Sequence, residues 1–131
     1  MKIIVITIFA ITALLVGTIL FSGPKGDSNG NGSQTPNNVS VIDGKQIITI
    51  SAKGGYTPRV TNATAGIPTQ IKVNTQGTFD CSSGLVIPSV GYRKSLPPSG
   101  TTFVDVPPQE KGSVLQGLCT MGMYNFQVKF N

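Results

Sequence analysis

The chain has 131 residues, ten basic and five acidic side chains, a net charge of +5 and no histidine. This length leaves room for one domain beside a targeting segment. The 16 glycines and nine prolines, with few charged residues, indicate a small all-β domain with many turns rather than a helical bundle. The basic residues are scattered and are not interleaved with aromatic residues, which argues against nucleic-acid binding.

The chain opens with an apolar segment that has the length of a membrane span. Ile3 to Phe21 contains 19 residues without a charge and follows Lys2 directly. As a helix it would cover roughly 28 Å, close to the ~30 Å hydrocarbon core of a bilayer. It is longer than the apolar core of a typical signal peptide, and no small-x-small cleavage site follows it cleanly. The sequence therefore predicts an uncleaved N-terminal transmembrane anchor over residues 1–22, with a cleaved signal peptide as the alternative.

Either kind of export signal places the rest of the chain outside the cytoplasm. We therefore expect a cell-membrane protein with a single N-terminal transmembrane helix and a soluble extracytoplasmic domain. Residues 23–38 are rich in Gly, Asn, Ser and Pro and have no large apolar side chain. Such a segment cannot bury enough surface to offset its chain entropy, so we expect a flexible linker.

The folded domain is predicted to span residues 39–131, where short apolar runs alternate with turn residues. The clearest strand is the last, in which Tyr124, Phe126 and Val128 alternate with polar residues. Seven short strands in about 90 residues predict an antiparallel Greek-key β-sandwich. The predicted strands are Lys45–Ala52, Arg59–Asn62, Thr69–Asn74, Gly84–Ile87, Thr101–Val106, Val114–Leu118 and Tyr124–Phe130.

Four sulfur side chains are candidate metal ligands. Cys119, Met121 and Met123 lie within five residues, and Cys81 is the only other cysteine. Thiolates and thioethers are soft donors that select Cu(I), so a copper site made only of sulfur is the first hypothesis. If the 119–123 segment is extended, alternate residues share a face, which would place both methionines beside Cys119. One methionine as core filler is the alternative, since Met commonly fills irregular gaps.

A disulfide between Cys81 and Cys119 is the rival hypothesis for the cysteines. An even cysteine number and an oxidising compartment favour a bond. Two cysteines that bind the same metal ion must hold their sulfur atoms close together. The Cβ–Cβ distance that this requires is close to the distance found in a disulfide, so the spacing does not distinguish the two hypotheses. Both interpretations remain open, as does the choice between Met121 and Met123.

Several short motifs follow one another in a fixed order along the domain. They are Gly55-Tyr56-Thr57-Pro58, Ala65-Gly66-Ile67-Pro68, Asp80-Cys81 leading into Leu85-Val86-Ile87-Pro88-Ser89, Tyr92-Arg93-Lys94-Ser95-Leu96-Pro97 and Cys119-Thr120-Met121-Gly122-Met123. In order and spacing they resemble the cupredoxin-like domains of exported bacterial copper proteins and iron-uptake lipoproteins. The resemblance covers about Gln46 to Asn131.

This resemblance implies roles for the sulfur side chains. Cys81 stands where a cupredoxin usually has a histidine ligand, Cys119 matches the near-universal thiolate, and Met123 matches the closing methionine. The histidine between the last two ligands is missing, and the loop is short. A blue-copper site with two histidines and one cysteine is therefore out of reach.

The sequence offers little for catalysis, because it has no histidine, no close carboxylate pair and no phosphate loop, and we expect no enzyme activity. The leading hypothesis is a membrane-tethered copper-binding protein that carries or delivers Cu(I), or transfers electrons, and acts with a redox or copper-acceptor protein. The alternative is a metal-free structural or interaction sandwich held by a Cys81–Cys119 disulfide.

Overall fold

The computed structural model describes residues 37–131. The predicted anchor and nearly all of the predicted linker lie outside these residues. Within the described part of the chain, no helix is long and apolar enough to cross a membrane. The ten strands are β1 (Val39–Ile42), β2 (Lys45–Ala52), β3 (Tyr56–Thr57), β4 (Val60–Ala63), β5 (Thr69–Thr75), β6 (Gly84–Ile87), β7 (Tyr92–Ser95), β8 (Gly100–Val106), β9 (Val114–Cys119) and β10 (Asn125–Phe130).

The strands form two sheets that pack as a sandwich, which confirms the predicted all-β class. The first sheet has the order β1-β2-β5-β8, with β3 also paired to β2, and the second has the order β4-β10-β9-β6-β7. All seven predicted strands are present, and the limits of Lys45–Ala52 and Gly84–Ile87 match the prediction.

Three strands of two to four residues were not predicted, because they contribute little to the buried core by which a strand is recognised. Strand β1 is mostly exposed, β3 has two residues, and β7 carries Arg93 and Lys94 at a sheet edge. Charged residues on an edge strand oppose pairing with a strand of another chain. Arg93 and Lys94 therefore protect the β7 edge against such association.

Two strand pairs are parallel, so the expectation of a purely antiparallel sandwich is wrong. They are β2 with β5 and β4 with β10. After β2 the chain forms β4 in the second sheet before it returns to the first, so β5 can run in the same direction as β2. A parallel pair needs such a long connection, which the local residue pattern does not reveal.

The core lies between the sheets and is formed by alternate residues of facing strands. Alternation in β10 is confirmed, since Phe126, Val128 and Phe130 are at most 1% exposed. Ile71 and Val73 of β5 are buried in the same way. Burying an aliphatic or phenyl side chain contributes about 1.5–3 kcal/mol each, so these strands supply much of the stability that holds the loops at their ends.

One buried polar side chain joins the start of β2 to the β4–β5 connection. The Gln46 amide is fully buried and donates to the carbonyl oxygen of Thr64 at 3.2 Å and to the hydroxyl of Thr69 at 3.0 Å. Its Oε1 accepts from the backbone N–H of Thr64 at 2.8 Å. All its polar groups are thus satisfied, which removes the cost of burying them.

Candidate metal centre

The fold brings the two cysteines together at one end of the second sheet. Cys81 begins a single-turn 3-10 helix, Cys81–Ser83, that leads into β6, and Cys119 is the last residue of β9. Strands β6 and β9 pair so that Leu85 lies opposite Cys119. The two Cα atoms are 5.8 Å apart, and the sulfurs are joined as a disulfide.

The disulfide closes a long loop between distant parts of the chain. The cysteines are separated by 38 residues, and in the chain-entropy model such a loop adds about 3–4 kcal/mol of stability. Cys119 is 1% exposed, whereas Cys81 is partly buried against the core. A molecule that approaches the disulfide from solvent therefore contacts Cys81 before Cys119.

The Asp80 carboxylate accepts hydrogen bonds from the residue after Cys81 and from the β2–β3 turn, and in this way it positions Cys81. It accepts from the backbone N–H of Ser82 at 2.8 Å, from the Ser82 hydroxyl, and from the backbone N–H of Gly54 at 2.6 Å. The side-chain hydrogen bond from Ser82 is the main cause that lowers the pKa of Asp80. An ionised Asp80 thus ties the start of the Cys81 helix to the β2–β3 turn.

Tyr56 supports the same loop from inside the core. It is 3% exposed, and its hydroxyl donates to the carbonyl oxygen of Gly84 at 3.0 Å. Burial, with a smaller contribution from the negative charge of Asp80, raises the pKa of Tyr56 to about 12. The residue therefore stays neutral and acts as a hydrogen-bond donor at ordinary pH.

The chain turns tightly after Cys119. The backbone N–H of Gly122 donates to the carbonyl oxygen of Cys119 at 2.9 Å, and the N–H of Cys119 donates to the carbonyl oxygen of Tyr124 at 3.0 Å. Gly122 has a φ of +74°, which favours glycine. The N–H of Tyr124 donates to Cys119 Sγ at 3.4 Å. A donor aimed at this sulfur would favour the thiolate in a reduced protein.

Both methionines lie in this turn and face solvent. Met121 is 78% and Met123 is 66% exposed, so neither is a core filler. The expectation that Cys119, Met121 and Met123 share a face of an extended segment is wrong, because the chain bends at Gly122 and β10 begins only at Asn125. Both thioethers therefore lie on the short exposed loop that follows the buried Cys119.

A cleft of about 390 Å³ adjoins this loop, and sequence reasoning did not find it. Its lining residues come from the β2–β3 turn, β3, the residue before β4, the β9–β10 turn and the start of β10, and they are Gly54, Gly55, Tyr56, Thr57, Arg59, Met123, Tyr124 and Asn125. Gly54-Gly55 was the available signal, since adjacent glycines mark a turn. Among residues 37–131, no three His, Cys, Asp or Glu side chains form a metal-binding cluster.

Comparison with known proteins gives the same fold. The family model described as the cupredoxin-like domain matches residues 11–130. An NMR structure of a copper binding protein in the apo form is 22% identical, with a TM-score of 0.64, and the match covers 71% of this chain and 94% of that one. None of the curated proteins matches the chain.

A second similar structure is the metal binding domain of the Streptococcus pneumoniae D39 Cu(I) exporting P-type ATPase CopA, solved with Cu(I). It is 24% identical, with a TM-score of 0.64, and the match covers 71% of this chain and 92% of that one. At these identities the likeness shows the fold.

Proposed function

The chain belongs to the cupredoxin-like domain family, and on this basis we propose that it is a membrane-tethered, extracytoplasmic copper-binding protein. Its cargo is Cu(I), held by the thiolates of Cys81 and Cys119 with thioether ligation from Met121, Met123 or both. It passes the ion to a copper-acceptor protein and catalyses no reaction of its own. The two similar structures, a copper binding protein and the metal binding domain of a Cu(I) exporting ATPase, support this class of ligand.

The approach of the two cysteines is the observation that carries this proposal. Their Cα atoms are 5.8 Å apart although 38 residues separate them in the chain. The protein has no histidine, so the soft donors at this position are thiolates and thioethers, which prefer Cu(I) to harder ions. Copper carriage is favoured over electron transfer, because an all-sulfur site holds Cu(I) strongly and disfavours cycling to Cu(II).

The disulfide is the oxidised form of the same pair, and it must open before copper binds. Two equivalents of an external thiol reduce it to two cysteine thiols and become a disulfide themselves. The cysteines then release their protons when Cu(I) binds, because the thiolate is the ligand.

Cu(I) affinity of the reduced full-length protein tests the proposal. We expect two titratable thiols after reduction, one Cu(I) bound in competition with a chromogenic chelator, and loss of that binding in Cys81→Ser and in Cys119→Ser. Met121→Leu and Met123→Leu keep side-chain size and remove the thioether. The variant that removes a ligand should lower the affinity about tenfold, or about 1.4 kcal/mol.

Ser40→Ala is the control, since Ser40 is exposed on β1. A reduced protein that takes up no Cu(I) would refute the copper proposal and leave the metal-free sandwich held by the Cys81–Cys119 disulfide. The disulfide itself favours that second candidate. A strong visible charge-transfer band on addition of Cu(II) would instead favour electron transfer over Cu(I) carriage.

A further inference from the structure

The cleft beside the methionine loop has the size of a small-molecule site. Its volume is about 390 Å³, within the range of about 300–1,000 Å³ that ligand pockets commonly have. Met123 and Arg59 both line it. A residue with a thioether and a residue with a permanent positive charge therefore border the same cleft.

Arg59 forms no ion pair with any of the residues that the structure describes. Arg59 is exposed, and its backbone carbonyl oxygen accepts from the N–H of Gln127 at 2.8 Å, which fixes the backbone but not the guanidinium. Within residues 37–131, the ion pair that forms is Lys45 with Asp105. A guanidinium presents a planar fork of donors that matches a carboxylate with two parallel hydrogen bonds.

Gly54 and Gly55 form the turn that borders the cleft. Gly55 has a φ of +120° that L side chains rarely adopt, and a Cβ atom on it would contact the Tyr124 ring at 3.5 Å. The backbone N–H of Gly54 donates to the Asp80 carboxylate at 2.6 Å, and the same carboxylate accepts from the backbone N–H of Ser82. These contacts fix the position of the turn beside the cleft.

We propose that this cleft binds the carboxylate of a small thiol that brings Cu(I) to the cysteine pair. This inference rests on the proposed function. The cleft volume of about 390 Å³ fits a small molecule, and the positive charge of Arg59 favours an anionic group on it. Cu(I) is soft and travels on sulfur, so a small carrier that delivers it beside Met123 is a thiolate.

The transfer step conserves electrons and protons. The bond between Cu(I) and the carrier thiolate breaks, and bonds from Cu(I) to the thiolates of Cys81 and Cys119 form. Of the two protons that the cysteine thiols release, one leaves on the carrier as a thiol and the other passes to solvent. Copper stays Cu(I), so the step needs no oxidant or reductant. Arg59 contributes by holding the carboxylate while the metal moves.

Transfer kinetics test the role of Arg59 with two matched carriers. Reduced full-length protein is mixed without oxygen with Cu(I) bound to N-acetylcysteine, which has a carboxylate, or to N-acetylcysteinamide, which has none. In Arg59→Gln we expect transfer from N-acetylcysteine to slow about twofold to fivefold, as for one exposed ion pair, and transfer from the amide to stay unchanged. Arg59→Lys should lie between.

Lys111→Gln is the matched control, because it removes the same charge in the turn before β9, at the far end of that strand from Cys119. It should behave as the unmodified protein with both carriers. Equal slowing of both carriers by Arg59→Gln, or no slowing with either, would overturn the proposal.

Direct binding without copper separates this proposal from the proposed function. N-acetyl-S-methylcysteine keeps the carboxylate and cannot reduce the disulfide. We expect it to shift the amide NMR signals of Gly54, Gly55 and Asn125, while its amide analogue and the Arg59→Gln variant show no shift. If the NMR signals shift but the reduced protein takes Cu(I) from neither carrier, the anion subsite is supported and copper carriage is refuted. If the protein takes up Cu(I) but the NMR signals do not shift, the subsite is refuted and copper carriage is still supported.

Discussion

At the scale of single residues, Tyr56 links the core to the loop that carries Cys81. Its ring meets Phe126 edge-to-face, with the centroids 5.2 Å apart, and its hydroxyl donates to the carbonyl oxygen of Gly84. The neutral phenol is required for that hydrogen bond. Burial and the nearby Asp80 charge both oppose ionisation and raise its pKa to about 12.

This shifted pKa predicts a loss of stability at high pH. The unfolded chain releases the phenol proton near pH 10, whereas the folded protein keeps it until about pH 12. The stabilisation by Tyr56 is therefore complete below pH 10 and is lost as the pH rises from 10 to about 12. Urea unfolding at pH 9 and pH 11.5 should show the free-energy advantage over Tyr56→Phe falling by about 1–2 kcal/mol. Parallel curves for the two proteins over this range would contradict the assignment.

At the scale of elements, the β9–β10 hairpin carries the sulfur loop and depends on one close approach. Gly117 of β9 lies opposite Phe126 of β10. A Cβ atom on Gly117 would overlap the Phe126 ring. Its backbone has an ordinary conformation, so glycine is needed here for space. The Phe126 ring fills the space that a side chain at position 117 would occupy, and this packing helps to hold β9 and β10 in register.

Gly117→Ala should therefore destabilise the protein by about 1–3 kcal/mol through overpacking. In a Phe126→Leu background the same change should cost less, because the overlapping ring atoms are absent and the two sites are coupled. Urea unfolding of the four proteins gives the coupling energy. Gln116→Ala, at the exposed neighbouring position, should change the unfolding free energy by no more than about 0.5 kcal/mol. Additive effects would show that the two residues do not share this space.

At the scale of the whole molecule, the proposed anchor and linker would hold the domain near a membrane. Ile3 to Phe21 contains no charged residue, and residues 23–38 have the composition of a flexible tether. Such a tether would limit the search of the proposed copper-loaded domain for an acceptor at the same membrane, because it would raise the effective concentration of the two partners.

Membrane fractionation in a bacterial host tests the anchor. The full chain should sediment with membranes and resist alkaline carbonate extraction at its full, uncleaved mass. Leu14→Arg with Leu15→Arg should abolish this, since each central charge costs about 2.5–3.5 kcal/mol on insertion. Ser28→Arg with Ser33→Arg adds the same charge in the linker and should sediment normally. A soluble product without the first 22 or so residues would identify a cleaved signal peptide instead.

The residue pattern by itself determined the all-β class, seven of the ten strands and the identity of the soft donors. Alternation such as Phe126, Val128 and Phe130 is a local property, so it can be read without knowledge of strand partners. The same holds for the sulfur content of the loop after Cys119 and for the absence of histidine. The three missed strands have two to four residues each and bury at most one side chain, so they are recognised by their pairing with neighbouring strands rather than by a buried face.

Only the tertiary structure decided which distant segments meet. The parallel pairing of β2 with β5, the 5.8 Å approach of the cysteine Cα atoms and the cleft between Arg59 and Met123 all join residues far apart in the chain. Such contacts depend on how whole strands compete for partners and register, which no local window of sequence contains. The bend at Gly122 likewise arises as β9 and β10 pair, and it turns both methionines to solvent.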